Sequence, residues 1–335
     1  MAEKKESSKL KGQVNNLGYK SNDDEMIIVM DQISRTMMTR STNEKSQLEL
    51  HDNGAVFGIT ESPSDDDTVK KPVLLPFNLH VLNAVTSLII KNHKKRITPA
   101  MIYRAMTGKT VKKVNPGMQN DIAEAINKMG HISVTYDFTH VEKIKDLFPH
   151  DQLKGSTTLM SYETYDINAN GSTQKAFKFL EMPIIALYAI AIKHVAKVKV
   201  SLLNIKKYNI EEDTWDDCYM RHRHMVITIA LIRRIIAMMR NKKIRRIIDA
   251  NTLIYGIINA CDDIMVDRYG NISPKTEKDL LGYVVTVLQY WSHIGFIKGF
   301  KSIKHNRNYE IMLENTKHSN DVYIDDELDT SISFW

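Results

Sequence analysis

The sequence predicts an α+β fold that is mainly helical and carries small β-wings. Three observations indicate this class: apolar residues recur at helical spacing in several segments, proline follows a capping residue where some of them begin, and short alternating stretches come after the helices. Glycine and proline are scarce, with 14 and 8 residues, which argues against a loop-rich all-β chain. The 335 residues allow two domains, at roughly 100–200 residues each.

The first quarter of the chain is irregular. Residues 1–25 are polar and dotted with lysine, and we expect them to be disordered. The apolar beginning of Met26–Arg40 fits a strand or a short helix, and Ala55–Ile59 fits a strand. A loop that begins at Ser62 leads into the first well-defined set of helices.

Three helices are predicted next. An apolar stripe predicts the first over Asn78–Lys91. Thr98 and Asn115 cap the second and third, each with proline at its first position, and the helices end near Met106 and Met129.

Alternating residues predict strands after the third helix. Ile132–Phe138 has the period of two, and further candidates, Thr157–Asp166 and Ala176–Leu180, flank a hairpin turn at Asn168–Gly171. Three helices followed by a β-hairpin is the order of a winged-helix domain, here placed at residues 26–182.

The second half repeats this plan. Helices are predicted from Pro183 to about Val198, over Trp215–Arg240 and over Ile247–Cys261, with an extended piece at Val200–Leu203. Ser273 caps the last predicted helix.

That last helix runs over Pro274–Gly295, and a hairpin of Phe296–Ser302 and Tyr309–Leu313 follows it. The sequence therefore predicts two winged-helix domains in tandem, with the second at residues 183–313 and an acidic tail at 314–335.

Charge is unevenly distributed, although the net charge is only +6. Leu75–Phe138 has nine Lys and Arg against three Asp and Glu, and Thr214–Ala250 has the same balance. Two basic segments favour binding to a polyanion, while solvated helix faces would give the same composition.

DNA contacts are predicted at the start of the third helix of each domain, because helical DNA readers place that part of a helix in the major groove. Gln119 and Asn120 have amides suited to adenine, and lysines surround both helix starts. The alternative is that these are ordinary exposed helix residues. The first domain offers Lys94, Lys95, Arg96, Lys109, Lys112, Lys113, Gln119 and Asn120, and the second Arg240, Lys242, Lys243, Arg245, Arg246, Lys275, Lys278, Lys301, Lys304 and Arg307.

Enzymatic motifs are not evident. A phosphate-binding loop that ended at Gly108-Lys109-Thr110 would need glycine at position 103, where Tyr103 stands. His222 and His224 would diverge on a helix, which disfavours a shared metal ion. We predict a protein that is not an enzyme and has no cofactor and no metal, with a metal-dependent nickase as a weaker alternative.

Location is predicted to be cytoplasmic, without membrane contact. The apolar run Pro183–Ile192 is about half the roughly 20 residues that span a bilayer. The start of the chain has no apolar core of a signal peptide, and two cysteines, Cys218 and Cys261, give no disulfide framework.

The tail from Glu314 to Trp335 has six acidic residues and a terminal Phe334-Trp335 pair. It resembles the acidic, aromatic-ended tails with which single-stranded DNA-binding proteins dock replication partners. A host replication protein and a purely solvating role both remain open.

Over Pro76–Leu313 the chain resembles the tandem winged-helix replication initiators of plasmids and related mobile elements. Val81–Val85, Arg96–Gly108 and the stretch from Leu288 through the second hairpin carry this likeness. The resemblance implies sequence-specific binding of double-stranded DNA at origin repeats and exchange between monomer and homodimer. A winged-helix transcriptional regulator or a partition-type protein is the alternative. The long segment Thr139–Ser156 departs from the pattern.

Overall fold

The chain folds as two compact units in the computed structural model. Among the described residues, unit 1 runs to Val195 without residues 107–109, and unit 2 consists of residues 107–109 and those from Ala196 onward. The mixed α+β class is confirmed, with helices and small antiparallel sheets in both units. The described residues are 25–43, 45–61, 72–92, 96–110, 113–145, 153–169, 172–218, 220–241, 243–258, 261, 264–267, 271–303, 307–313 and 322–324.

The segment Met26–Arg40, predicted to be a strand or a short helix, contains one of each. Strand β1 (Glu25–Val29) is followed by helix α1 (Gln32–Thr39), which the side chain of Asp31 caps by accepting from the Ser34 amide at 2.8 Å. All five residues of β1 are buried, which explains why its pattern shows no alternation.

A four-stranded antiparallel sheet was only partly predicted. It consists of β2 (Gln47–Asp52), β3 (Ala55–Glu61), β4 (Ile132–Asp137) and β5 (Lys154–Thr158), in that order. The turn between β2 and β3 has positive φ at Asn53 and Gly54, 47° and 85°, which is the hairpin conformation that Asn-Gly favours.

The three predicted helices of unit 1 are present as α2 (Pro76–Asn92), α3 (Pro99–Thr107) and α4 (Pro116–Gly130). Ser87 and Asn83 of α2 accept the β1 amides of Ile27 and Val29 at 2.8 and 3.0 Å. These two bonds explain why polar residues lie buried on α2.

The predicted strand Thr157–Asp166 is wrong as one element, because β5 ends at Thr158 and β6 begins at Tyr162. A short helix, α5 (Glu142–Lys145), lies between β4 and β5. Strands β6 (Tyr162–Ala169) and β7 (Ser172–Phe179) form the hairpin, and α6 (Ile184–Ala191) follows.

Two predicted boundaries after α6 are wrong. The helix from Pro183 ends at Ala191, because Lys193 has a φ of 62° and β8 (Val195–Lys199) begins two residues later. Val200–Leu202 forms a 3₁₀ turn and is not extended.

The long helix predicted from Trp215 begins later, at α7 (His222–Arg240). Trp215 lies in a hairpin of β9 (Lys206–Asn209) and β10 (Thr214–Asp217), and its ring stacks on His293 at 4.5 Å between centroids. The two residues are far apart in sequence, so the local spacing of apolar residues cannot reveal this contact.

The rest of unit 2 alternates helix and strand. The predicted helix Ile247–Cys261 divides into β11 (Ile247–Asp249) and α8 (Ala250–Ile258). Helix α9 (Pro274–His293) follows as predicted, and then the hairpin of β12 (Gly299–Ile303) and β13 (Asn308–Met312). Strand β13 lies between β11 and β12 in a three-stranded antiparallel sheet.

The core of unit 2 is centred on α9. Trp291 is fully buried, donates its ring N–H to the Leu202 carbonyl at 3.0 Å and meets Phe296 edge to face. Within the predicted acidic tail, the structure describes only β14 (Val322–Ile324), which pairs antiparallel with β8.

Candidate nucleic-acid interface

The start of α9 presents two exposed lysines on a fixed helix end. The Ser273 hydroxyl accepts from the Thr276 amide at 3.1 Å, and Pro274 occupies the first helical position. Lys275 and Lys278 are both exposed. The helix end itself adds backbone N–H groups and the positive end of the helix dipole, so this end attracts anions.

Arg307, directly before the second hairpin strand, lies beside that helix end. An Nη2 of Arg307, just before β13, lies 3.8 Å from Oε1 of Glu277 in the first turn of α9. The Arg307 carbonyl also accepts from the Ala250 amide at 2.9 Å. Arg307, the start of α8 and the start of α9 therefore meet at one end of unit 2.

Two further exposed lysines lie in β12 or next to it. Lys301 is exposed and pairs across the hairpin with Glu310. Lys298 is also exposed, and its amide donates to the Met312 carbonyl at the opposite end of the hairpin. Lys301 is thus an exposed basic residue of β12, and exposed Lys298 lies directly before the strand.

The basic cluster after α7 is divided by burial. Lys243 and Arg245 are exposed, whereas Arg240 and Arg246 are half-buried. Earlier on the helix, Arg233 is buried. A basic helix face that only contacts solvent would leave this side chain exposed.

This cluster lies away from the turn that holds Arg307. The Arg246 carbonyl accepts from the Ile311 amide at 2.9 Å, four positions along β13 from Arg307, which is about 13 Å at the rise of a strand. Burial also lowers the pKa of Arg234, which donates to the Ile247 carbonyl at 3.4 Å. The backbones of Arg246 and Arg307 are therefore about 13 Å apart along β13.

In unit 1, the start of α4 is capped as predicted, but one predicted contact residue is engaged within the chain. Asn115 accepts from the Gly117 amide at 2.8 Å. Gln119 is half-buried, and its amide nitrogen donates to the Val114 carbonyl at 3.0 Å. Lys113 and Asn120 are exposed.

Charges near the β6–β7 hairpin are paired within the unit. The Arg96 guanidinium is exposed and lies 4.8 Å from the ring centroid of Tyr165. Tyr165 donates to Glu163, which also forms an ion pair of 3.1 Å with Lys178. Beside Arg96, Ile97 exchanges two backbone hydrogen bonds with Phe177 of β7, at 2.8 and 2.9 Å.

Lys109 requires a correction. Its side chain is buried within unit 2, where the ammonium donates to the Cys218 carbonyl. Burial lowers the pKa of Lys109, and the nearby Asp217 opposes this shift. The ammonium is thus engaged inside the unit and is not offered to solvent. We therefore remove Lys109 from the candidate phosphate contacts.

Five predicted contact residues lie outside the described residues. They are Lys94, Lys95, Lys112, Lys242 and Lys304.

The histidines of α7 have structural contacts. Nδ1 of His224 accepts from the Arg221 amide at 3.2 Å, and the ring stacks on buried Tyr283 at 4.3 Å. The Tyr283 hydroxyl lies 3.0 Å from the hydroxyl of Thr228. In the part of the chain that the structure describes, no group of three or more His, Cys, Asp and Glu side chains could hold a metal ion.

One exposed stripe of α9 was missed by the sequence analysis. Lys275, Gly282 and Gln289 recur at seven residues and are all exposed. Leu280, Val284, Val287, Leu288 and Trp291 are buried on the opposite side. At 100° per residue, Lys275, Gly282 and Gln289 lie within about 40° of one another around the helix axis. The sequence alone therefore contained this pattern.

Comparisons with known proteins complete the description. No family model and no curated protein matches the chain. Two solved structures of domains 2 and 3 of RctB are similar to it. One, of selenomethionine derivatives, has a TM-score of 0.36 and 11% identity and covers 81% of this chain and 92% of that chain. The other, RctB-155-483, has a TM-score of 0.32 and 9% identity and covers 80% and 82%. Likeness at this level assigns neither fold nor function.

Among the described residues, no helix is long and apolar enough to cross a membrane.

Proposed function

We propose that this protein binds double-stranded DNA in a sequence-specific manner, mainly through unit 2. The start of α9 enters the major groove, and the β12–β13 hairpin contacts the adjacent backbone. The contact between Arg307 and Glu277 carries the proposal, because it places Arg307, just before β13, at the helix end that bears Lys275 and Lys278.

The order of elements supports a winged helix in unit 2. Strand β11 follows α7, helices α8 and α9 come next, and the β12–β13 hairpin closes the unit with β13 in the centre of its sheet. In helix-turn-helix proteins the second helix of the motif reads base edges with its N-terminal residues. Helix α9 is that helix here.

Unit 1 is proposed as a second winged helix with a smaller share of the affinity. Helices α2, α3 and α4 precede the β6–β7 hairpin, and Ile97 supplies the short third strand beside β7. Lys113 and Asn120 are its contact residues, with Arg96 at the base of the hairpin.

Affinity comes largely from phosphate contacts. Each phosphate that a lysine or arginine neutralises releases counterions, so the logarithm of the binding constant falls with the logarithm of salt by about 0.9 per contact. Exposed lysines near a helix N-terminus are suited to this role because both their charge and the helix dipole attract phosphate.

We propose that the process served is initiation of replication of a plasmid or mobile element, with a homodimer and a host replication protein as partners. The sequence likeness to tandem winged-helix initiators supports this step. An initiator binds regularly spaced repeats beside AT-rich DNA and distorts it. A transcriptional regulator would instead protect a promoter-like palindrome.

The test begins with selection of bound duplexes from a random-sequence pool by the full chain, followed by footprinting of the source replicon at low and moderate salt. We expect an enriched motif and protection of repeats. A variant with Lys275→Ala, Lys278→Ala and Arg307→Ala should lose most of the affinity. Lys207→Ala, at an exposed lysine of β9, is a single-charge control for position and should bind as the unaltered protein does.

The absence of salt-sensitive DNA binding by the unaltered protein would overturn the proposal. Equal loss of affinity in the control would also contradict it, since the effect would then reflect net charge rather than position.

A further inference from the structure

Gly282 lies in the middle of α9 and is exposed. Glycine inside a helix lowers helix stability relative to alanine, because it loses more backbone freedom on folding. Gly256 in α8 is also exposed, so exposure alone assigns no role and the location of Gly282 has to supply one.

The fold supplies no packing reason. A Cβ built at Gly282 meets no atom within 4 Å. At Gly130, by contrast, a Cβ would stand 2.7 Å from the ring of Tyr162, so that glycine is required by the close approach of another part of unit 1. Gly295 also has open space, but its φ of 79° accounts for glycine there. Gly282 has neither a close neighbour nor a positive φ.

The position of Gly282 points outward, to a partner. It lies seven residues after Lys275 and four after Lys278, so all three share one face of α9. At 1.5 Å per residue, Gly282 is about 10 Å beyond Lys275 along the helix axis. The face that the proposed function assigns to the major groove therefore contains one position without a side chain.

We propose that Gly282 is a contact position of the DNA interface, where the backbone of α9 approaches the groove closely because no side chain intervenes. The inference rests on the proposed function. The major groove is about 12 Å wide, and a helix with its side chains is about 10–12 Å across, so the fit leaves little slack. A side chain at residue 282 moves the helix outward and weakens the contacts of its neighbours.

The experiment compares Gly282→Ala and Gly282→Leu with the unaltered full chain on a random-sequence duplex of about three helical turns and on the selected duplexes. We expect the affinity for the selected duplexes to fall several-fold with alanine and about tenfold or more with leucine. The thermal unfolding midpoint should stay the same or rise, since both residues favour helix. The dependence of affinity on salt should not change, because no cation is removed.

Gly256→Leu in α8 is the matched control, since Gly256 is also an exposed glycine within a helix. It should retain the affinity of the unaltered protein within about twofold, because it lies outside the α9 stripe.

The outcomes separate the two proposals. If the unaltered protein binds DNA and the Gly282 variants bind as tightly, Gly282 is no contact position and the proposed function stands. An equal loss in Gly256→Leu also overturns the inference. If the unaltered protein shows no salt-sensitive binding, the proposed function fails and the inference fails with it.

Discussion

Units 1 and 2 both contain three helices followed by a β-hairpin, yet their charged side chains differ in pairing and exposure. In unit 1, Arg96 lies over Tyr165, Glu163 pairs with Lys178, and the Gln119 amide is engaged with Val114. In unit 2, lysines remain exposed at the start of α9 and along β12. The two units therefore share an order of elements but differ in which of their described charged side chains are paired within the fold and which are exposed.

The insertion between α4 and the hairpin is a second difference. Unit 1 inserts β4, α5 and β5 there, and β4 and β5 complete a sheet with β2 and β3. Unit 2 passes from α9 to β12 within a few residues. A short connection restricts where the hairpin can lie, so the hairpin of unit 2 is fixed beside its helix more directly.

The largest expected effect is a loss of stability in unit 2 alone, caused by a substitution in its core. Trp291→Ala removes a buried ring and leaves the Leu202 carbonyl without its ring N–H donor, so unit 2 should lose about 3–5 kcal/mol of unfolding free energy. Hydrogen–deuterium exchange measured by mass spectrometry should show faster exchange in α7 and α9.

Phe57→Ala is the matched change in unit 1, because Phe57 is fully buried and contacts the rings of Phe138 and Tyr188. It should speed exchange in β3 and β4. Identical exchange profiles for the two variants would contradict separate cores.

The next largest effect is a loss of stability of unit 1 at acidic pH. Burial lowers the pKa of His80 to about 4 from an ordinary 6.5, while its Nε2 is 3.0 Å from the Met106 carbonyl. The unfolded chain therefore binds this proton more readily than the folded chain. The stabilising contribution is complete above pH 6.5 and is lost as the pH falls toward 4.

Unit 1 should lose about 2 kcal/mol between pH 7.5 and pH 5 from this residue. Urea unfolding at the two pH values measures the loss, and His80→Gln should flatten it. A loss of equal size in that variant would assign the acid sensitivity to other groups.

Removing basic side chains from each unit in turn compares their contributions to DNA binding. Lys275→Ala with Lys278→Ala should lower duplex affinity about tenfold and reduce the salt dependence by about 1.8, which corresponds to two phosphates. Arg96→Ala with Lys113→Ala in unit 1 should reduce both by less, because the Arg96 guanidinium already contacts Tyr165. Fluorescence anisotropy at several salt concentrations measures both quantities, and a larger effect from the unit 1 pair would reverse the assignment.

The smallest expected effect comes from the partner of Arg307. Glu277→Gln removes a negative charge from the first turn of α9 and releases Arg307 from an ion pair that is about half exposed. Stability should change by less than about 1 kcal/mol, as for other surface pairs. DNA affinity should fall about twofold, because Arg307 is no longer held at the start of α9, and this loss outweighs the removal of one negative charge. A rise in affinity would contradict a positioning role for the contact between Arg307 and Glu277.

The sequence predicts elements well where the signal is local. The caps at Asn115 and Ser273, each followed by proline, correctly place the starts of α4 and α9. The Asn53-Gly54 turn was equally local and was overlooked, so β2 was missed. Trp215 was assigned to a helix because its contact with His293 depends on the tertiary fold.

Site prediction from sequence is weaker, because charge alone does not reveal burial. Lys109 and Lys113 are four residues apart, yet one is buried against Cys218 and the other is exposed. The bond to Cys218 joins positions 109 residues apart, which a window along the chain cannot detect. The domain order and the basic segments were accessible to sequence reasoning, whereas the exposure of each side chain was not.

Lysine reactivity tests the central claim most directly. The full chain is treated with an acetylating reagent with and without the selected duplex, and mass spectrometry reports the modification at each lysine. We predict that DNA protects Lys275, Lys278 and Lys301, while Lys207 reacts equally in both conditions. Protection confined to unit 1, or protection of Lys207 as strong as that of Lys278, would contradict the assignment of the DNA surface to α9 and the β12–β13 hairpin.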